Sequence, residues 1–357
     1  MPIRLIDKLN AHDSLLDFVN AEGIPVYTDF HADLLNLRLG EWERIGVRGA
    51  WVYLKGAAPL NAAYVLELSA GESTRPQHYV LDEMIVALDG HGYTEIWYDQ
   101  GPKVRVDWGK WTTFKVPPNS NYVHHAESRA RLLTVTQLPL IMNAMNDRQF
   151  LFNTRFSFEE FSSSMASGKY TDEPTMVESE GGAKWKGYVV RDISRLELPT
   201  GHKFFSQRGV GTKGIHVDSG PGLRTHVSEI PVATYKKAHM HGPSAQILII
   251  KGEGYSLMWY GPIGWSQAEE KVRIDWKPGF LLVPPDRWWH QHFNVSGEPA
   301  RYIAIHSPVG HIGEQTFTQI EYHEEDPAIR KIYEEELKRR GLESKMGPEL
   351  YSGSLRH

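Results

Sequence analysis

One stretch of this chain occurs twice, and that repetition restricts its architecture more than any other feature. In the first copy Gly90, Gly92 and Tyr93 lead to Trp97 and Tyr98, then to KVRVDW from Lys103 to Trp108, then to Pro117 and Pro118. In the second, Gly252, Gly254 and Tyr255 lead to Trp259 and Tyr260, then to KVRIDW from Lys271 to Trp276, then to Pro284 and Pro285. The copies lie roughly 165 residues apart and agree in order and spacing, except for a short insertion around Ile263–Ala268. Such agreement marks the duplication of one module.

Each module reads as antiparallel β structure, with apolar runs broken by Gly- and Pro-bearing turns at intervals of roughly 8–12 residues. ILIIKGEGYSLMWY is two strands about a glycine turn, and RYIAIHSP is a further short strand. FLLVPP ends a strand at a double proline that cannot continue the ladder. Between the modules SFEEFSSSM predicts a helix and ESEGGAKW a loop. Asp326 is placed to cap a helix with Pro327 at its first position, running through Leu337 to Gly341, and its EEELKRR charges read as a solvated face.

Composition removes several function classes. The 357 residues include no cysteine, which excludes disulfides, thiolate ligands and cysteine nucleophiles. Net charge is -5 and no basic cluster occurs, so nucleic acid is not expected as a partner. No apolar run approaches the roughly 18 residues of a membrane span, so no membrane partner and a cytoplasmic location are expected.

The chemistry concentrates between His239 and Asn294. His239 and His241 flank Met240, and residues at i and i+2 of a strand project from one face, so both imidazoles can meet one ion. His290 offers a third nitrogen from a later strand. His292, two residues on, would share that inward face. It is read as an acid/base or hydrogen-bonding group, with a packed histidine as the alternative. Aligning the double prolines pairs it with His125. Gln246 admits three readings: an oxygen ligand, an amide orienting water or substrate, or a core residue. The second is carried forward. Three neutral imidazoles leave a divalent cation uncompensated and several positions open, which favours a chelating anionic substrate. Metal affinity should fall as pH drops, because the ligands must be neutral. Arg287, Trp288 and Trp289 are taken as substrate-pocket candidates, with His226 and Glu229 as further cavity candidates. Trp259 and Tyr260 recur as Trp97 and Tyr98, which marks them as architectural.

These residues resemble the motifs of the cupin superfamily, and as a pair those of a bicupin. His239, His241, Gln246 and Gly252 match the first motif, with Gln in place of Glu. Gly279, Pro285, His290 and Asn294 match the second. In the first module His78, Glu83 and Gly90 match, Pro76 stands where the first histidine belongs, and His124 and His125 are shifted by one relative to His290. The run from Glu229 through HMHGPSAQ to PPDRWWHQHFN is similar to bacterial bicupins labelled as activating proteins for ethanolamine ammonia-lyase. The site resembles the three-histidine cupin dioxygenases, such as gentisate dioxygenase.

The resemblance implies an all-β fold of two tandem double-stranded β-helix (jelly-roll) barrels, with short helices at the linker and C-terminus. The expected divisions are an extension over 1–50, a barrel over 51–150 with a degenerate site, a linker over 151–215, a metal-bearing barrel over 216–320 and a helix and tail over 321–357. Arg75 and Glu83 are expected to pair inside the first barrel. The functional expectation is one divalent metal per chain held by His239, His241 and His290. Fe(II) is expected, with Mn, Ni, Zn and Cu left open. The expected reaction is that of a dioxygenase acting on a small chelating anion. The alternatives are a Zn or Mn lyase, hydrolase or isomerase, or a non-catalytic small-molecule-binding bicupin. A homo-oligomer is expected.

Overall fold

The apolar runs do not alternate: in Glu83–Asp89 and Gln246–Lys251 all but the last residue are buried. A strand reads that way when both its faces are covered. The computed structural model, which describes residues 14–145, 147–179, 182–200, 202–308 and 317–352, shows why. Each module curls into a barrel of one large and one small antiparallel sheet, and the large sheets pack back to back. Ile85 and Ala87 point into the first barrel, whereas Met84, Val86 and Leu88 point out into the shared core. In the second barrel Ile247 and Ile249 point inward, and Leu248 and Ile250 outward to meet them.

The expected all-β fold with short helices is present. The second barrel orders Lys213–Asp218, Arg224–Ile230, Ala300–His306, Gln246–Lys251 and Phe280–Leu282 in its large sheet. Its small sheet runs Glu270–Trp276, Gly254–Tyr260, Trp289–Asn294, His239–His241 and Phe317–Gln319. The linker carries the helix Glu159–Ala166, and Asp326 caps Pro327–Arg339 by accepting from Ala328 N at 2.9 Å. No helix among the described residues is long and apolar enough to cross a membrane.

The segments outside the barrels are woven into them. Val26–Tyr27 pairs with Val47–Val52 of the first barrel, but His31–Asp33 crosses over to pair with Phe280–Leu282 of the second. From the linker, Val189–Val190 pairs with Thr113–Val116 of the first barrel. The segment preceding each barrel therefore supplies an edge strand to the other one. Polar contacts add to this. Lys115, fully buried, reaches Asp82 at 3.0 Å and the carbonyl of Pro221 at 2.6 Å, while Asp82 accepts from Leu223 N at 2.8 Å.

The duplicated motif is scaffolding. Gly90 and Gly252 hold φ of 77° and 78° at matching turns. At Gly92 and Gly254 a Cβ would sit 2.1 and 2.0 Å from the carbonyl oxygens of His125 and Phe293, so only glycine fits. The tryptophan closing each KVR(V/I)DW run donates to a hydroxyl, Trp108 to Thr94 at 3.0 Å and Trp276 to Ser256 at 2.9 Å. That hydroxyl in turn meets an imidazole Nδ1, of His124 at 2.7 Å and of His292 at 2.8 Å.

Register shows what became of the first barrel's centre. Ile96 opposes Tyr122 as Met258 opposes His290, and Tyr122 opposes Gln77 as His290 opposes His239. Gln77, Tyr79 and Tyr122 thus stand at the positions of His239, His241 and His290. The motif histidines of this barrel, expected to form only a degenerate site, turn elsewhere: His78 faces Thr154 O at 2.8 Å, and His125 faces Ser73 Oγ at 2.7 Å. Nor does Arg75 pair with Glu83, since Arg75 is exposed. The buried Glu83 carboxyl accepts from Tyr64 at 2.9 Å and from Tyr122.

Two predictions follow from this packing. Lys115→Met leaves Asp82 buried without its cation and lowers unfolding free energy by about 3–5 kcal/mol, read by urea denaturation; a loss below about 1 kcal/mol would show the pair to be dispensable. Burial pushes Glu83 up to about 7, against the 4.5 of a free carboxyl. The folded chain therefore holds a proton that the unfolded chain releases between those values, and stability falls as pH rises through that window. Glu83→Gln removes a pH-dependent loss on the order of 3 kcal/mol, flattening the profile from pH 5 to 7. Glu325, also raised to about 7 mainly by burial, keeps its own share of the slope.

Candidate metal centre

Two neighbouring strands bring His239, His241 and His290 together. His239 lies directly opposite His290 in register, and their ring centroids are 4.2 Å apart; His241 and His290 are 4.7 Å apart. One ligand atom from each lies within 4.8 Å of the other two, and among the described residues no other His, Asp or Glu group does this. Each Nδ1 faces a backbone carbonyl: Lys237 O at 2.9 Å, Gly242 O at 2.7 Å and Trp288 O at 3.0 Å. A carbonyl only accepts, so each Nδ1 carries the hydrogen and each Nε2 presents a lone pair. The Nε2 of His290 is buried with no protein partner. Burial, then the neighbouring imidazoles, hold His239 and His290 far below the usual histidine range, hence neutral. Three Nε2 atoms converging from these rings fit a divalent metal.

His292 differs in its partner. Ser256 Oγ accepts from Trp276, whose indole can only donate, and lies 2.8 Å from His292 Nδ1. If the hydroxyl gives its own hydrogen to Nδ1, the ring proton sits on Nε2 as a donor into the cavity. Burial pushes the His292 pKa down to about 3. In the first barrel His124 occupies this position, so the proline alignment that paired His292 with His125 is off by one residue.

The cavity around these rings measures about 300 Å³. Beside the four histidines it is lined by Phe204, Phe205, Ala245, Ile247, Tyr302, Ala304 and Phe317, by the imidazoles of His216, His226 and His306, and by Arg208, Arg224 and Lys236. Among the described residues no Asp or Glu lines it. Lys236 Nζ is buried, 2.7 Å from Tyr302 Oη, and burial lowers its pKa. In a low-dielectric pocket, cations without carboxylates make a strong field for an anion.

Several expectations for this site need correction. Gln246 is outside the cavity: its strand alternates, Ala245 and Ile247 line the cavity, and Gln246 points into the inter-barrel core, where its Nε2 donates to Asn61 at 3.1 Å. The residue at the position of Glu83, the same distance before the turn glycine, is Ala245, so the centre has neither carboxylate nor amide there. Trp289 lies on the outer face of its strand, stacked on Trp259 beneath the C-terminal helix, because His290 and His292 take the inner face. Trp288 packs on Phe30 and Tyr260, and Arg287 is exposed in the turn. None of the three lines the cavity. His226 does, but Glu229 faces outward to Arg301 at 2.8 Å. Arg208, Lys236 and Tyr302 were missed. Tyr302 had a readable signal, being at an alternate inward position of Ala300–His306, whereas Lys236 lies in an isolated bridge before His239–His241 and Arg208 in a loop, both without periodicity.

No protein-family model matches the chain, and no curated protein matches it. Solved structures do. Oxalate decarboxylase from Bacillus subtilis is similar over 91% of this chain and 85% of its own, with a TM-score of 0.52 at 12% identity. The formate complex of the Lactobacillus farciminis enzyme covers 92% and 96%, with a TM-score of 0.52 at 10% identity. A further Bacillus subtilis structure, described by its Mn(II) centres, covers 92% and 88% with a TM-score of 0.51 at 12% identity. At these identities the likeness is one of fold, and the chain has the bicupin fold of tandem cupin barrels.

Proposed function

We propose that the C-terminal barrel is a metal-dependent enzyme centre acting on a small chelating anion. The observation that carries this is the convergence of three imidazole Nε2 atoms in a cavity whose described lining includes Arg208, Arg224 and Lys236 and no Asp or Glu. His239, His241 and His290 would hold the metal, which when bound supplies positive charge to polarise the substrate's chelating oxygens. His292 Nε2–H donates a hydrogen bond to that head group. Lys236, its ammonium disfavoured by burial and braced by Tyr302, is suited to give or take a proton at Nζ. The apolar walls exclude water around the reacting atoms.

Two reaction classes fit this arrangement. The first is cleavage or isomerisation without net consumption of dioxygen. It is favoured by the Lys236–Tyr302 pair as a proton source and by the fold likeness to oxalate decarboxylases. The second is the Fe(II) dioxygenase expected from the sequence. It is favoured by Ala245, which leaves room beside the three nitrogens where the first barrel has a carboxyl.

Elemental analysis of wild-type protein is expected to find one divalent metal per chain, lost in His290→Ala and retained in His292→Gln. Loss in both would put His292 in the ligand set and overturn the tautomer argument. An oxygen-electrode screen of Fe(II)- and Mn(II)-loaded protein with hydroxy-carboxylates, oxo-acids and diketones separates the classes. Dioxygen consumed mole for mole with product identifies a dioxygenase, and turnover without net consumption identifies a lyase or isomerase. Metal-loaded protein that turns over nothing in either atmosphere, yet binds these anions, would leave a non-catalytic binder.

A further inference from the structure

Three cations face the cavity, and they are not equivalent. Lys236 is already held by Tyr302 at 2.7 Å and Ser228 at 3.4 Å. Arg224 is exposed at the end of its strand. Arg208 is neither engaged nor free to leave. Its guanidinium carbon lies 3.6 Å from the Phe317 ring centroid and 4.4 Å from that of Phe204. Its backbone is pinned on both sides: its N–H donates to Phe205 O at 3.0 Å, and its carbonyl accepts from Lys237 N at 2.8 Å, two residues before His239. Nη1 is buried without a partner, and no carboxylate among the described residues pairs with this side chain. The residue is half-buried, and its unpaired Nη1 is a donor that an acid on a ligand would satisfy.

Its place in the cavity says where that acid would come from. The Arg208 charge acts on His239 and His290 of the metal centre and also on His216 and His226 of the far wall. Tyr302 bridges the two histidine groups, 5.8 Å from His292 and 6.1 Å from His226 between ring centroids, and Phe205, Ile247 and Ala304 add apolar lining. A guanidinium packed against rings keeps its N–H edge for bidentate capture of a planar anion. We propose that Arg208 is a carboxylate anchor, and that the substrate carries a carboxylate separated by an apolar body from the group that chelates the metal. This inference rests on the metal-centre reading and narrows its substrate class. An anion that is all chelating head, with no apolar body, leaves both Arg208 and the aromatic walls unused.

The test compares two chelators with one head group, benzohydroxamate and 4-carboxybenzohydroxamate, titrated calorimetrically into Zn(II)-loaded protein. Wild type is expected to bind the carboxylated compound at least about tenfold tighter, the scale of a charge-assisted hydrogen bond. Arg208→Gln should reduce that preference to within about threefold, with metal content unchanged and the carboxylated compound weakened far more than benzohydroxamate. Arg208→Lys should keep part of it, as a charge without the fork. A wild type with no preference, or an Arg208→Gln variant that keeps it or weakens both compounds alike, overturns the anchor. Protein that takes up no metal overturns the proposed function, and the anchor with it.

Discussion

Everything in this molecule depends on two large sheets being buried on both faces. Their inward faces line the barrels, and their outward faces form one continuous core between the barrels. That arrangement explains the unbroken apolar strands, and it fixes the direction of every neighbouring side chain. With period-2 geometry, a residue on these strands faces either the cavity or the opposite barrel. Ala245 and Gln246 differ by one position, and that single step separates the metal centre from the inter-barrel contact with Asn61.

The second barrel encloses a candidate site and the first is a filled plug, and the difference lies at a few inward positions. Where one has His239, His241 and His290, the other has Gln77, Tyr79 and Tyr122, and Glu83 and Tyr64 close the remaining space. The Trp–hydroxyl–His relay survives in both, as Trp108, Thr94 and His124 and as Trp276, Ser256 and His292. In the plug the Nε2 of His124 is buried without a partner; in the working barrel the matching edge of His292 faces the cavity. The relay belongs to the ancestral module, and the space beside it decides whether it serves a ligand.

The duplication, the β class and the histidine triad were all legible in the chain, because repeats, turn residues and i, i+2 spacing are local properties. The rest was not local. Gln246 was misplaced because a one-residue error in an ungapped motif reverses the face of a strand. Trp288 and Trp289 were misjudged for a related reason: proximity in sequence to His290 says nothing about which side of the sheet each side chain takes. His292 was misaligned because the loop after the double proline is one residue longer in the second copy, and only the ladder shows it. The cations Arg208 and Lys236 reach the cavity from a loop and an inward position with no motif around them, so nothing in their neighbourhood announces them.

The exchanged edge strands carry a consequence for how the chain comes into being. During synthesis His31–Asp33 emerges before either barrel, yet its partner Phe280–Leu282 emerges only after the whole first barrel has been made. The first barrel likewise waits for Val189–Val190 from the linker. Every strand of the first barrel's sheet has been made by Val190, whereas the second barrel lacks an edge strand unless His31–Asp33 has stayed free to reach it, so the second does not fold as an independent domain. The His31–Asp33 edge stays unpaired until Phe280–Leu282 arrives. The tandem modules are thus tied by an exchanged strand, although the gene that encodes them arose by copying a smaller one.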